Sequence, residues 1–391
     1  MKEIIINKCE DGTKLIALLE NGVLIEKYEE TESKKRSEGN IYIGQVKNVL
    51  SGMQAAFIDI GGSRAAFMPI RDLLDRIHSQ ENNDDKNIKK YIKPGMNVLI
   101  QIKRDATEKK GARVSKHFSI TSRYIVLMPD NEYITISNKI ENEEEIKRLT
   151  NIVKKALPNK CGAIIRTSAM DKTKEEIEKD INLVYKKWIK IKSQSEVINE
   201  APKLIYKSHS ITKRILLDLM DKDIKRIIVN NENDFIEINK FLKEHKCEIE
   251  VVKNMKDLRN MYDLNKQLEK AKNRKIWLKC GGFITIDKTE ALTAIDVNSG
   301  KYIGKDNLED TVFKVNREAT IEIAKQLRLR DIGGIIIIDY IDMNNEEHKQ
   351  NIIEILKENL KEDRTKTQIE GFTKLNLLEM SRKHVCSNLE E

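Results

Sequence analysis

The chain opens with alternating apolar and polar residues. KEIIINK and KLIALLENGVLIEKY, separated by the turn signal Asp11-Gly12, predict strands across residues 2–28. A charged break, EETESKKRSEGN, follows. From Ile41 the pattern shortens. IYIGQVKNVLSGMQAAFIDIGGSRAAFMPI and, after a polar loop, YIKPGMNVLIQIKRDA read as about five short strands punctuated by glycine turns, which suggests a small barrel of the OB type. Residues 118–208 mix strands (RYIVLMP, EYITISN, CGAIIRT) with a helix over 172–197. In that helix Ile177, Ile181, Val184, Trp188 and Ile191 recur at helical spacing and predict a core face. ENEEEIKRL starts another helix, with acidic residues in its first turn. Helix and strand alternate between 209 and 252, as in a small α/β unit, and a basic helix is predicted over 256–279. Beyond Gly281 come two strands (GGFITIDKTEALTAIDVNSG), a helix, the buried strand GGIIIIDYID, a second helix and two closing segments. The whole reads as a multidomain α/β (α+β) protein.

Composition narrows the class. The 391 residues are 39% hydrophobic and 34% charged, enough apolar content for packed cores beneath a heavily solvated surface. Net charge is +8, from 71 Lys+Arg against 63 Asp+Glu, which is compatible with a polyanionic partner without requiring one. Cys9, Cys161, Cys247, Cys280 and Cys386 are scattered, odd in number and never C-x-x-C, which argues against a disulfide framework and a self-contained zinc knuckle. The amino terminus lacks the apolar core of a signal peptide, and no window approaches a membrane span. A cytoplasmic location is expected.

Two aspartates stand out. Asp296 follows the apolar run 292–295 and precedes Val297-Asn298-Ser299-Gly300; Asp339 ends the run 335–338, with Asp342 close behind. Two buried strands, each releasing a carboxylate at its carboxyl end, could hold Mg²⁺, a hard cation that takes one or two carboxylates and shares its shell with waters and phosphate. The bland alternative is that Asp296 caps a turn and Asp339 pairs with Arg328 or Arg330. On the barrel, Phe57 and Phe67 lie among Lys47, Arg64, Lys103, Arg104, Lys110 and Arg113. They suit either base stacking or the core. There is no G-x-S-x-G elbow, and His78, His117, His209, His245, His348 and His384 form no evident pair in sequence.

TEALTAIDVNSG, followed by LRLRDIGGIIIIDYIDM and LLEMSR, resembles the catalytic region of the RNase E/G endoribonucleases. GNIYIGQVKNVLSGMQAAFIDIGGSRAAFMPI resembles that family's S1 RNA-binding domain, and YIVLMP with CGAIIRTSAMDKT its 5′-sensor region. The resemblance implies an RNase H-like subdomain (1–35 and 209–274) interrupted by an S1 (OB-fold) domain (36–117) and a 5′-sensor region (118–208). A DNase I-like catalytic subdomain (275–391) follows. It also implies that Asp296 and Asp339 bind the metal and that Asn298 positions the scissile group or attacking water. Phe57, Phe67 and Lys110 would contact RNA. Arg166 and Thr167 would hold a 5′-monophosphate, supported by backbone near Ser122 and Val126.

The implied activity is Mg²⁺-dependent cleavage (Mn²⁺ as a substitute) of single-stranded, A/U-rich RNA in rRNA processing and mRNA decay. Its products would carry 5′-phosphate and 3′-hydroxyl ends, and a 5′-monophosphate would favour it. One departure concerns assembly. The family's C-P-x-C motif, through which two chains share a Zn²⁺, is absent from SRKHVCSNLEE, where Cys386 stands alone. This speaks against a shared structural zinc and leaves a homodimer open. A short, RNase G-like enzyme without a built-in membrane anchor is expected; the competing reading is a non-catalytic S1-type RNA-binding or ribosome-associated protein.

Overall fold

The computed structural model describes residues 1–31, 37–74, 87–107, 110–198, 200–220, 224–300 and 308–383. The chain divides into two compact units, one of Met1–Lys34 with Lys222–Glu391, the other of Lys35–Asp221.

In the Lys35–Asp221 unit, five strands close on themselves. Ile41–Leu50 pairs with Ala55–Asp59, which pairs with Ala66–Pro69. Arg113–Ser115 joins that third strand in parallel and pairs with Asn97–Arg104, which returns to Ile41–Leu50. Val46, Ala56, Ile58, Ala66, Met68, Ile100, Ile102 and Val114 fill the interior. Closure leaves these strands without a bare edge, the expected solution for a run of short antiparallel strands. A four-stranded sheet (Ile134–Ile136, Cys161–Ile165, Ile125–Pro129, Ile120–Thr121 in spatial order) packs under two helices, Glu143–Ala156 and Lys174–Val197. Both helices start on side-chain caps: Asn142 accepts from Glu144 and Glu145, and Thr173 with Glu176 forms a capping box. The buried face of the long helix is Ile177, Ile181, Val184, Trp188 and Ile191, as its spacing predicts.

The other unit holds two sheets. In the first, Lys2–Lys8 is central, antiparallel to Lys14–Glu20 and parallel to Ile224–Val229, far along the chain. The second has six strands in the order Lys275–Trp277, Phe283–Lys288, Leu292–Asn298, Gly334–Asp339, Leu377–Arg382 and Thr367–Phe372. Helices Leu308–Leu329 and Glu346–Leu360 cover one of its faces. There Val315, Ala319, Ile323, Leu327, Ile352 and Leu356 pack on Ile284, Ile295, Val297, Ile336 and Ile338. Alternation along the strands turns Trp277, Asp296, Asn298, Ile335 and Asp339 to the opposite face, where all are exposed.

The helix predicted over 256–279 is not continuous. Short helices run Leu258–Met261 and Leu264–Lys272, broken at Asp263, whose φ of +50° interrupts helical geometry. Lys275–Trp277 is an edge strand. Its pairing with Phe283–Lys288, a contact that local periodicity does not encode, overrides helix propensity there.

Arg382 locks the six-stranded sheet from beneath. It is 3% exposed and donates to the Asp363 carboxylate (2.7 Å), the Asp331 carboxylate (2.9 Å) and the Ile332 carbonyl (2.8 Å). Burial alone would raise the Asp363 carboxyl, but the hydrogen bonds and charge of Arg382 outweigh it and hold it below its ordinary value. Replacing Arg382 with methionine removes the guanidinium that stands 2.7 Å from the buried Asp363 carboxylate. It should cost about 3–5 kcal/mol, read as a lower urea midpoint than that of the exposed-site control Lys383→Met. Equal midpoints would show that the pair does not hold the sheet.

Candidate active site

Leu292–Asn298 and Gly334–Asp339 run parallel in a register that sets Asp296 directly beside Asp339. Adjacent strands put their backbones about 4.8 Å apart, and both carboxylates stand on the exposed face. Asp296 lies within its strand, two residues short of the end, so the turn-capping alternative does not apply to it. The cap is Asn298, whose Oδ1 accepts the Gly300 N–H at 2.9 Å. Gly300 has φ +60°, and a Cβ there would run into the Gly281 carbonyl, so the turn needs glycine. The alternative partners of Asp339 are engaged elsewhere. Arg328 pairs with Glu362 at 3.2 Å, while Arg330 donates to Gln326 and to the Asn273 carbonyl. Among the described residues neither Asp296 nor Asp339 makes an ion pair. Burial, then the negative charges of Asp296 and Asp342, push the Asp339 carboxyl above its ordinary range.

The loops around this pair are fixed by the helix Leu308–Leu329. Asn316 is fully buried and makes two bonds to Ile341, donating to its carbonyl (2.8 Å) and accepting from its N–H (3.2 Å). This pins the backbone just past Asp339. Thr320 bonds the Tyr340 hydroxyl at 2.9 Å. Glu309 accepts from the Asn344 and Asn345 amides, and Glu318 from those of Lys279 and Cys280. Sequence reading singled out none of these residues, and the only available signal was polar residues on a helix face otherwise bound for the core.

The remaining candidates fall in the Lys35–Asp221 unit. Phe57 and Phe67 are cross-strand partners with ring centroids 5.7 Å apart, edge to face. They are half-buried on the outside of the barrel, while Ala56, Ile58, Ala66 and Met68 between them form the core. The core alternative is thereby removed. Lys110 is exposed and adjoins this pair: the Phe67 N–H donates to Ala112 at 2.7 Å, and a Cβ on Gly111 would strike the Ala65 carbonyl. Arg113 is tied to Asp72 at 2.8 Å. Arg166 donates to the Ser122 carbonyl (2.7 Å), the Arg123 carbonyl (3.2 Å) and the Asp218 carboxylate. Thr167 bonds Ser137 at 3.0 Å, Ser122 donates to Asp180 at 2.5 Å, and Val126 sits on the strand paired with Cys161–Ile165. Val126 lies within that sheet, Ser122 and Arg166 directly follow the ends of two of its strands, and Thr167 opens a short helical turn, with the guanidinium already engaged by Asp218. His78, His384 and Cys386 lie outside the described residues.

A model of the Ribonuclease E/G family matches residues 119–385. Ribonuclease G of Salmonella typhimurium (strain SL1344) is 35% identical over 400 residues, covering 99% of this chain and 81% of that protein. The chain belongs to the Ribonuclease E/G family. Ribonuclease G of Escherichia coli (strain K12) is likewise 35% identical over 397 residues, with 99% and 81% covered. Ribonuclease E of Buchnera aphidicola subsp. Schizaphis graminum is 34% identical over 405 residues, covering all of this chain and 41% of that protein.

Among the described residues of this Ribonuclease E/G chain, no cluster of three or more His, Cys, Asp or Glu side chains is gathered for a metal. A pair of hard oxygen donors, open to solvent and mutually repelling, still fits an ion that keeps several waters. No described helix is long and apolar enough to cross a membrane. A cavity of about 300 Å³ lies instead in the Lys35–Asp221 unit, lined by Lys103, Ser119, Tyr206, Arg214 and Asp218 among others. Burial pushes the Lys103 ammonium down to about 8. A concave cavity suits a small ligand, whereas an exposed sheet face suits a polymer.

Asn316→Ala removes the side chain that bonds both backbone groups of half-buried Ile341. It should destabilise the protein by about 1–3 kcal/mol and accelerate hydrogen exchange at the Ile341 amide. Unchanged exchange there would show that Asn316 does not fix the loop.

Proposed function

We propose that this chain cuts single-stranded, A/U-rich RNA internally at the face carrying Asp296 and Asp339, with Mg²⁺ as the working ion and Mn²⁺ as a substitute. Family membership makes it an endoribonuclease, a hydrolase of phosphodiester bonds. The observation that carries the site is the side-by-side register of two exposed carboxylates that make no ion pair among the described residues. Asp296 and Asp339 would hold the ion, which when bound lowers the pKa of water and offsets charge on the phosphoryl oxygens. Asn298, on the same strand face as Asp296, orients the scissile phosphate or the attacking water. Water adds to phosphorus and the bond to the 3′-oxygen breaks, leaving 5′-phosphate and 3′-hydroxyl ends.

The modules divide the remaining work. Residues 36–117 act as an S1 domain that stacks bases on Phe57 and Phe67 with Lys110 beside them. Residues 118–208 act as a 5′-sensor in which Arg166 and Thr167, flanked by Ser122 and Val126, hold a terminal monophosphate. Because Asp218 already engages Arg166, a phosphate must displace that carboxylate or share the guanidinium with it. Residues 1–35 and 209–274 form the RNase H-like subdomain; the pairing of Lys2–Lys8 with Ile224–Val229 supports this. Residues 275–391 form the DNase I-like catalytic subdomain. The physiological setting is rRNA processing and mRNA decay in the cytoplasm.

Asp296→Asn should reduce cleavage of a labelled single-stranded oligonucleotide to the level seen with EDTA while RNA affinity stays nearly unchanged. Full activity in this variant would sink the site. Arg166→Ala should narrow the rate difference between 5′-monophosphorylated and 5′-hydroxyl substrates, and equal rates on both in the unmodified protein would remove the sensor role.

A further inference from the structure

The uncovered face of the six-stranded sheet carries more than carboxylates. Cross-strand partners share a face, so two rows lie side by side. One runs Lys275, Thr285, Asp296, Asp339, and the other Trp277, Phe283, Asn298. Trp277 is 64% exposed, whereas Trp188, the other tryptophan, is 5% exposed. The indole meets Phe283 edge to face with centroids 5.3 Å apart. The Lys275 ammonium stands 4.2 Å from the Trp277 centroid and 3.5 Å from that of Phe283. A large aromatic ring held in water, braced by a second ring and capped by a cation, is poorly explained by folding. Burial of such a ring is what normally stabilises a fold.

We propose that Trp277, braced by Phe283 and flanked by Lys275, stacks an unpaired nucleobase of the RNA strand whose phosphodiester lies at Asp296 and Asp339. This inference rests on the endoribonuclease reading. Two strand spacings put Trp277 roughly 10 Å from Asn298, within reach of a nucleotide close to the scissile one. The ammonium that covers part of the aromatic pair also supplies a cation for the adjoining phosphate. Every base has a π-face, so the subsite selects for an unpaired nucleotide and not for base identity. A base inside a duplex has both faces occupied by its neighbours and is excluded. The sheet thus contributes its own preference for single strands, independent of the barrel in the other unit.

With only two tryptophans in the chain, fluorescence reports the subsite directly. In the full-length Asp296→Asn protein, a short single-stranded oligoribonucleotide should quench Trp277, and the same sequence in a duplex should not. Trp277→Phe, in which only buried Trp188 remains, should lose the quenching. With catalytic residues intact, Trp277→Ala should raise KM on a single-stranded substrate about tenfold with little change in kcat. Trp277→Phe should restore most of the loss. Unquenched fluorescence, or an unchanged KM, in a protein whose unmodified form cleaves RNA would overturn the subsite and leave the endoribonuclease reading standing. An unmodified protein that never cleaves would overturn that reading first. A Trp277→Ala chain that changes oligomeric state on size exclusion while KM holds would make this surface a contact between copies and overturn the subsite.

Discussion

The candidate site depends on one strand pairing, Leu292–Asn298 alongside Gly334–Asp339 in parallel. Only parallel neighbours release their carboxyl ends at the same edge of a sheet, so only that arrangement sets an aspartate from each within one strand spacing. An antiparallel pair with the same sequences would separate the two by the length of a strand. Parallel pairing demands a crossover connection, and the connection contains the helix Leu308–Leu329. The helix buries Val315, Ala319 and Ile323 against the sheet. Its polar residues at 309, 316, 318 and 320 hold the loops at Lys279–Cys280 and at Tyr340–Asn345. The segment that makes parallel pairing feasible is therefore also the one that fixes the backbone near the carboxylates. It accounts for how two like charges are kept together at a cost that burial and mutual repulsion both increase.

Local periodicity carried much of this architecture. The core face of Lys174–Val197 and the closed barrel follow from spacing and glycine turns, because helical and strand periods are written directly into neighbouring residues. The aspartates were legible for the same reason, each ending or nearly ending an apolar run. Asn316 was not legible. Its partner is Ile341, twenty-five positions away, and a buried asparagine within an amphipathic helix carries no local mark of what it bonds. Residues 275–277 failed differently. Basic residues preceding them extend a helical pattern, and only the pairing with Phe283–Lys288 makes them a strand. The same failure hid Trp277, which as part of a helix would have been one more apolar residue and as part of an edge strand faces the carboxylates' side of the sheet. Phe57 and Phe67 were undecidable from alternation alone, since a barrel strand has an apolar option on either side until closure shows which side is interior.

Charge gives the site its remaining constraint. The chain carries a net +8, yet Asp287, Asp296, Asp339 and Asp342 gather on or beside the uncovered face. Among the described residues only Asp287 of these four has its own cation, Arg274 at 2.5 Å. A polyanion attracted by the protein as a whole would meet local repulsion at the place where its backbone must be handled. A divalent cation between the two aspartates would reverse the sign there, turning the most repulsive spot for a phosphodiester into the most attractive one. Lys275 then extends the positive ground toward the aromatic pair, so a strand lying across the face would find charge for its phosphates and a ring for a base in the same direction. Such a metal would set how the scissile phosphodiester sits between Asp296 and Asp339 as well as supply chemistry, while contacts away from the two aspartates would carry most of the affinity for the strand.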